Sequence, residues 1–190
     1  MEYGDAMVCH QFDTSGSMSE GLVIQGGSLS KTTQLSELLA QEAQVEKDPV
    51  LRRYAESRQR LASDPYRPYY HFVSPEGNLN DPNGLCFWQG RWHLFYQAFP
   101  PTNPKPHWGH AVSNDLIHWH DLPLAITPGP EQACWSGSTL VEEDRVIAMY
   151  HGNDLGNMVA ISSDSLLLDW EKVTGNTIIP NPCPIWTPTT

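Results

Sequence analysis

The sequence predicts an all-β fold, a partial β-propeller of about two blades preceded by a short helical extension. The composition gives the first indication, since 14 glycines, 16 prolines and seven tryptophans in 190 residues are typical of short strands joined by tight turns. The second indication is a strand pattern that repeats in the C-terminal half with a period of about 50 residues, as expected for four-stranded propeller blades.

The N-terminal third contains no strand pattern. Residues 1–30 are rich in Gly, Ser and Met without periodicity, and we interpret them as a disordered tail. Residues 31–66 have a helical composition, in which Asp48-Pro49 predicts an N-cap followed by proline at the first helical position. The second helix is expected to end near Ala62. We assign no chemistry to this helical extension.

Short strands begin after Pro68. A glycine-containing turn, Gln89-Gly90-Arg91, separates the first two and predicts a hairpin. A second hairpin is predicted around residues 142–145. The predicted strands are residues 84–88, 92–96, 110–113 and 122–126 in the first unit and residues 138–141, 146–150, 157–162 and 177–179 in the second.

The two units also match in individual side chains. Trp119 parallels Trp170, and Tyr96 parallels Tyr150. We expect the members of each pair to occupy equivalent positions in successive sheets, with both tryptophans in the core rather than in a ligand site. A coincidental repeat within a β-sandwich is the alternative interpretation.

The formal net charge of −11 disfavours nucleic acid and anionic membrane surfaces as partners, because both are negatively charged. It suits a protein that acts on neutral molecules. No secretory signal or membrane-spanning apolar run is visible, so a cytoplasmic location is expected.

The four cysteines form no CxxC pair, and we expect free thiols and neither a metal nor a cofactor. The cysteines are Cys9, Cys86, Cys134 and Cys183. Four clustered histidines could suggest a metal site, but they fall around a turn and along strands, so none is expected. They are His107, His110, His118 and His120.

The densest polar cluster is Asn78–Gly84, immediately before the first strong strand. These are turn residues, so an ordinary loop is one interpretation. In a propeller, however, the innermost strand lines the central channel, where ligands bind. A carboxylate there, flanked by amide side chains that donate and accept hydrogen bonds, suits the recognition of sugar hydroxyls.

Four motifs in order then resemble glycoside hydrolase family 32, the family of invertases, inulinases, levanases and related fructosyl transferases. The resemblance spans about Tyr69 to Pro180 and implies a five-bladed propeller followed by a β-sandwich. Residues 67–190 would be the first part of that propeller. The motifs are Asn80-Asp81-Pro82-Asn83-Gly84, Phe95-Tyr96-Gln97, Trp108-Gly109-His110-Ala111 with Asp115–Trp119, and Trp135-Ser136-Gly137-Ser138.

The resemblance implies a retaining glycosidase acting on a terminal β-fructofuranosyl unit of sucrose or a fructan, with Asp81 as the nucleophile. The partner acid/base would protonate the leaving oxygen. Substrate-binding roles are implied for six residues: Asn80 and Asn83 beside the nucleophile, Gln97 as a hydrogen-bond partner of the fructose, Trp108 as an aromatic wall, and Trp135 with Ser136 as an aromatic–serine pair in the same pocket. The family usually has Phe at the position of Trp135.

Two acidic motifs of the family have no match: an Asp, usually after Arg, and the acid/base Glu, usually before Cys. Asn181–Trp186 faintly resembles the first of these, with Asn181 in place of the carboxylate. We therefore expect a truncated, inactive piece of a β-fructofuranosidase. The alternative is a non-catalytic sugar-binding or interaction module derived from the same propeller. The related arabinan hydrolases are disfavoured by residues 95–97 and 135–138.

Overall fold

The described part of the chain consists of two helices followed by two antiparallel β-sheets. A computed structural model describes residues 31–68, 70–173 and 177–180, so the predicted tail (residues 1–30) and the Asn181 motif lie outside the described residues. Over the described residues, the helices fall short of the length and apolar character needed to span a bilayer.

Helix α1 runs from Lys31–Val45 and helix α2 from Pro49–Leu61. Asp48 has extended backbone angles and its carboxylate accepts a 2.7 Å hydrogen bond from the Val50 N–H, as an N-cap does. The predicted cap followed by proline is therefore confirmed, and α2 ends one residue before the predicted boundary.

The first sheet, sheet 1, has four strands in the order β1-β2-β3-β4. The turn between β1 and β2 is Gln89-Gly90, with positive φ at both residues (44° and 82°), as the tightest hairpin turns require. Arg91 already pairs with Trp88, so the turn is one residue shorter than predicted. The strands are β1 (Pro82–Trp88), β2 (Arg91–Ala98), β3 (His107–Ser113) and β4 (Trp119–Ile126).

The second sheet, sheet 2, has the same order, but its fourth strand is split into β8 and β9. Strand β8 pairs with the end of β7 and β9 with its beginning. The strand predicted at residues 177–179 overlaps β9 only at Ile179, and β8 was not predicted, because its two residues are too few to show a period-two pattern. The strands are β5 (Cys134–Val141), β6 (Val146–Gly152), β7 (Gly156–Ser162), β8 (Glu171–Lys172) and β9 (Ile179–Pro180).

The predicted equivalence of the two sheets is confirmed for the tyrosines by strand register. The β2–β3 ladder starts at the Trp92–Ser113 pair. Counting Trp92 as the first residue, Tyr96 is the fifth, and it lies opposite Gly109. Tyr150 has the same position relative to the Val146–Ser162 pair and lies opposite Met158. Both tyrosines are buried. The two sheets are therefore successive units of one repeat, as in a propeller.

The tryptophans close equivalent turns. The indole N–H of Trp119 donates to the Leu116 carbonyl at 3.2 Å, and that of Trp170 donates to the Leu167 carbonyl at 2.8 Å. Both leucines have positive φ, 66° and 52°. Both tryptophans are only half-buried, although Trp170 packs against the core, so the prediction that they are core residues is right only in part.

The core lies between the two sheets. Sheet 1 contributes large rings, and sheet 2 contributes mostly small side chains with one tyrosine and one methionine. Interdigitation of this kind fills the space between sheets at close-packed density. The main residues are Trp88, Phe95 and Trp108 from sheet 1 and Val146, Ala148, Tyr150, Met158 and Ala160 from sheet 2.

Helix α2 is fixed to sheet 1 by Arg58. Its guanidinium forms two hydrogen bonds to the Asp121 carboxylate in β4, at 2.5 and 2.6 Å, and a third to the Val73 carbonyl at 3.0 Å. It also lies over the Phe72 ring, 5.4 Å from its centroid. A bidentate arginine–carboxylate pair that is partly shielded from water gives a defined orientation, so the extension has a fixed place on the first sheet.

Two of the four cysteines lie in the described residues; both are free, as predicted, and both are buried. Burial raises the pKa of the Cys86 thiol to about 11 and that of Cys134 still further. Buried thiols of this kind are unreactive. Cys9 and Cys183 lie outside the described residues.

A histidine pair is enclosed in sheet 1. His93 Nδ1 and His110 Nε2 are 2.9 Å apart, and both side chains are completely buried. The other ring nitrogen of each has no hydrogen-bond partner among the described residues. Burial, with a contribution from the Arg91 charge, lowers the pKa of His93 to about 4, and burial lowers that of His110 well below its ordinary value. Both rings are therefore neutral in the folded protein at pH 7.

This pair predicts that the protein loses stability when the pH falls from 7 to 5. The folded-state pKa of His93 is about 4 and its unfolded value is 6.5, so between them only the unfolded chain binds the proton. The free energy of unfolding should then fall by about 1.4 kcal/mol per pH unit for each such imidazole. Urea unfolding at pH 7, 6 and 5 measures this slope. The exposed-residue variant His120→Gln should keep it, and a pH-independent stability would contradict the assignment.

Candidate active site

The turn before β1 is held by backbone hydrogen bonds that continue the β1–β2 ladder. The Asn80 N–H donates to the Gln97 carbonyl at 3.3 Å, and the Gln97 N–H donates to the Asp81 carbonyl at 3.1 Å. The Asn83 side-chain amide donates to the same Asp81 carbonyl at 3.1 Å. Pro82 cannot donate and fixes its own φ. Asp81 thus stands on a backbone that is restrained on both sides.

A β-bulge in each inner strand directs side chains at this end of the sheets. The pairing shifts by one residue between Asn83 and Cys86 in β1 and between Cys134 and Gly137 in β5. Gly137 is required there, because a Cβ would lie 2.0 Å from the Met149 carbonyl oxygen. Bulges commonly re-aim a side chain next to a functional site, and the second bulge contains Ser136.

Ser136 connects two of the predicted site residues. Its hydroxyl donates to Asp81 Oδ2 at 2.7 Å and accepts from Gln97 Nε2 at 2.9 Å. Gln97 is buried, Ser136 half-buried and Asp81 exposed, so the chain of hydrogen bonds runs from the core to the surface. This arrangement fixes one carboxylate oxygen. Oδ1 of Asp81 has no hydrogen bond among the described residues, and the residue is exposed.

The predicted aromatic residues differ in accessibility. Trp108 is completely buried between Phe95 and Tyr150, so no face of its ring is open in this structure. Its indole N–H donates to the Trp135 carbonyl at 2.9 Å and so supports the strand that carries Ser136. Trp135 is 37% exposed and is the aromatic surface available beside Ser136.

The remaining predicted residues also lie at this end of the sheets. Asn80 is exposed next to Asp81. Asn83 is half-buried, and its Oδ1 is buried without a partner among the described residues. The structure thus brings Asp81, Gln97 and Ser136 into direct contact and places Asn80, Asn83 and Trp135 around them.

Sequence reasoning missed Asn153. Its Oδ1 accepts from the Trp135 indole N–H at 3.4 Å, and its Nδ2 donates to Asp154 Oδ2 at 2.8 Å. Asp154 has a left-handed backbone, φ 65°. The sequence feature that could have indicated Asn153 is the polar Asn-Asp pair in the turn between β6 and β7. That turn lies at the same end of the sheets as Asp81.

The buried carboxylate behind this region, Glu131, is hydrogen-bonded through one oxygen only, since its Oε2 is buried without a partner among the described residues. Its Oε1 accepts from Lys172 Nζ at 2.5 Å, from the Tyr150 hydroxyl at 2.7 Å and from the Cys134 thiol at 3.2 Å. Burial opposes ionisation, but the hydrogen bonds from Lys172 and Tyr150 outweigh it and lower the pKa of Glu131. A carboxyl group held ionised in this way is unsuited to deliver a proton near neutral pH.

The clustered histidines lie in different environments and do not form one group. His110 pairs with His93 inside sheet 1, whereas His118 is exposed and bonds to the Asp115 carboxylate at 2.6 Å. Over residues 31–68, 70–173 and 177–180, no three His, Cys, Asp or Glu side chains are grouped so that they could hold a metal ion.

Comparison with known proteins gives consistent matches. The model of the "Glycosyl hydrolases family 32 N-terminal domain" matches residues 71–187. The levanase of Bacillus subtilis is 41% identical over 135 residues, covering 62% of this chain and 20% of the relative. The fructan 6-exohydrolase of Beta vulgaris is 38% identical over 131 residues, covering 61% and 22%. The chain therefore spans about a fifth of the length of these curated relatives.

Solved structures agree with these matches. Fructan 1-exohydrolase IIa from Cichorium intybus is 37% identical with a TM-score of 0.57, covering 63% of this chain and 25% of that one. Sucrose-6-phosphate hydrolase from Lactobacillus gasseri is 30% identical with a TM-score of 0.56, covering 69% and 29%. These neighbours and the two repeated sheets together identify the fold as a partial propeller.

The hydrogen-bond chain predicts a measurable coupling. Replacing Ser136 by Ala leaves the buried Gln97 amide without its acceptor, which should lower the free energy of unfolding by about 1–3 kcal/mol. Adding Gln97→Met removes the unsatisfied donor, so the double variant should be more stable than the sum of the single effects. Urea unfolding measures all three variants. Ser138→Ala, an exposed serine in the same strand, is the matched control, and strictly additive effects would argue against the contact.

Proposed function

The chain belongs to glycosyl hydrolase family 32, and from this premise we propose that it provides the nucleophilic part of a retaining β-fructofuranosidase site. The observation that carries the proposal is the hydrogen-bond chain from Gln97 through Ser136 to Asp81. It joins residues from the β1 entry turn, β2 and β5 around one exposed carboxylate. The substrate would be a terminal β-fructofuranosyl unit of sucrose or a fructan.

In the proposed reaction, Asp81 Oδ1 attacks the anomeric carbon C2. A bond forms between C2 and the carboxylate, and the bond between C2 and the leaving oxygen breaks. That oxygen must receive a proton, and water later hydrolyses the fructosyl ester with retention. Ser136 holds Oδ2 and so directs Oδ1 toward the sugar. The open face of Trp135 suits the C–H surface of a furanose ring.

Within the part of the chain that the structure describes, no proton donor is bonded to Asp81. Its carboxylate is hydrogen-bonded by the Ser136 hydroxyl and by no second carboxyl group, and Oε1 of Glu131 pairs with Lys172. General acid catalysis is typically worth about 10²–10⁴-fold. We therefore propose that this 190-residue chain by itself does not hydrolyse sucrose or fructans at a useful rate.

A non-catalytic sugar-binding module is the second candidate. It is favoured by the same lack of a proton donor beside Asp81 among the described residues. In that case Asp81, Gln97 and Trp135 would bind a fructosyl unit without forming a covalent bond. The two candidates differ in one measurable property, the reactivity of the Asp81 carboxylate.

A substrate that needs no acid separates them. Fluoride leaves without protonation, so β-fructofuranosyl fluoride should label Asp81 even where sucrose is inert. We expect the intact mass to rise by one fructosyl unit and peptide mapping to place it on Asp81. Asp81→Asn should abolish labelling, and Asp144→Asn, an exposed carboxylate in the β5–β6 turn, should not change it.

The outcomes are distinct. Labelling at Asp81 without release of fructose from sucrose supports the proposal. Sugar binding without labelling favours the binding module. Sucrose hydrolysis that disappears in Asp81→Asn would show that the chain does contain an acid/base group.

A further inference from the structure

The contact at the centre of the site joins two different sheets. Asp81 precedes β1 of sheet 1, whereas Ser136 belongs to β5 of sheet 2. Its length therefore depends on how the two sheets are oriented relative to each other. One further hydrogen bond crosses between the same inner strands, from Thr139 Oγ1 to the Gly84 carbonyl at 2.9 Å.

Helix α1 touches both sheets at the opposite end. The side chain of Gln41 is buried, donates from Nε2 to Asp164 Oδ1 at 2.6 Å, and accepts from the Leu166 N–H at 3.0 Å. Both partners lie in the turn that follows β7 of sheet 2. A bidentate contact from a buried amide fixes position in two directions at once.

The next residue of α1 contacts sheet 1. The Glu42 carboxylate accepts from Arg91 Nη2 at 2.9 Å, at the β1–β2 turn. Helix α2 is already anchored to sheet 1 through Arg58 and Asp121. Consecutive residues of one helix therefore contact both sheets, on a frame that is itself fixed to sheet 1, at the end where the Trp88 indole N–H also donates directly to the Asp164 carbonyl at 2.9 Å.

The helix contacts are far from the site, so a small change in the angle between the sheets there produces a larger displacement at the site. Strands of seven or eight residues, at about 3.3 Å per residue, separate the helix contacts from the site by about 23 Å. Over that length a rotation of about 3° between the sheets displaces the far end by about 1 Å. A displacement of that size is enough to break a hydrogen bond and to impair a positioned reaction.

We propose that the helical extension is an intramolecular clamp that sets the angle between the two sheets, with Gln41 as a positioning residue for the Asp81–Ser136 pair. The family match begins at residue 71, so this element lies outside the matched domain. The proposal assigns a role in the site to a segment to which the sequence assigned none. Its catalytic consequence rests on the proposed function, but its structural consequence does not.

The test compares Gln41→Ala with Gln44→Ala, a matched change on the exposed side of the same helix. Amide spectra of the isotope-labelled 190-residue chain give the structural readout. We expect Gln41→Ala to shift signals of Asn80, Asp81 and Ser136 as well as those of residues 162–170, and Gln44→Ala to shift neither group. The rate of Asp81 labelling by β-fructofuranosyl fluoride should fall by about tenfold in Gln41→Ala only.

Each result has one meaning. Shifts confined to α1 and residues 162–170 would overturn the clamp, because a local packing role produces only those. Distant shifts in a chain whose wild type is not labelled would support the clamp and contradict the nucleophile assignment. Where Gln41→Ala does not fold, Gln41→Asn, which is too short for both contacts, and Arg91→Gln on the other side of the clamp are read by the same criteria.

Discussion

The packing of large rings of sheet 1 against small side chains of sheet 2 is the constraint on which the other features depend. Each ring such as Trp88, Phe95 or Trp108 buries roughly 150–250 Å², worth about 4–6 kcal/mol of transfer free energy at about 25 cal/mol per Å². A single hydrogen bond contributes about 1 kcal/mol net. The rings therefore supply the association of the sheets, and the polar contacts around them select one geometry. Ala148 and Ala160 leave the space that this packing requires.

The site follows from that geometry because its members come from both sides of the interface. Gln97 is held in the core behind the surface, and Ser136 reaches toward it from the bulge in β5. The position of each of these two side chains therefore depends on a contact with the other sheet. Asp81 stays solvent-accessible while one of its oxygens is fixed, which is the combination that the proposed nucleophile requires.

What the sequence could predict was local or periodic. The hairpins, the Asp48 cap and the equivalence of Tyr96 with Tyr150 depend on patterns within a few residues or on a long repeat, and these are visible without a structure. The β8 strand was missed because two residues carry no period. The burial of Trp108 and the role of Gln41 were also invisible, since each depends on which distant surface the side chain meets after the sheets have packed.

The turn after β7 has a consequence for how such a chain can grow. Its Asp164 carboxylate accepts from the N–H groups of Leu166, Leu168 and Asp169 and from the Ser162 hydroxyl, and the Trp170 indole closes the same segment. The turn after β3 is closed in the same way, with Asp115 and Trp119 in the corresponding places. In each copy the aspartate accepts from backbone N–H groups of its own turn, and in the second copy Gln41 and Trp88 add bonds from outside the sheet. A tandem duplication of the encoding segment would thus add a sheet that carries the aspartate and tryptophan of its own turn, while the bonds from outside would have to come from whatever packs beside it.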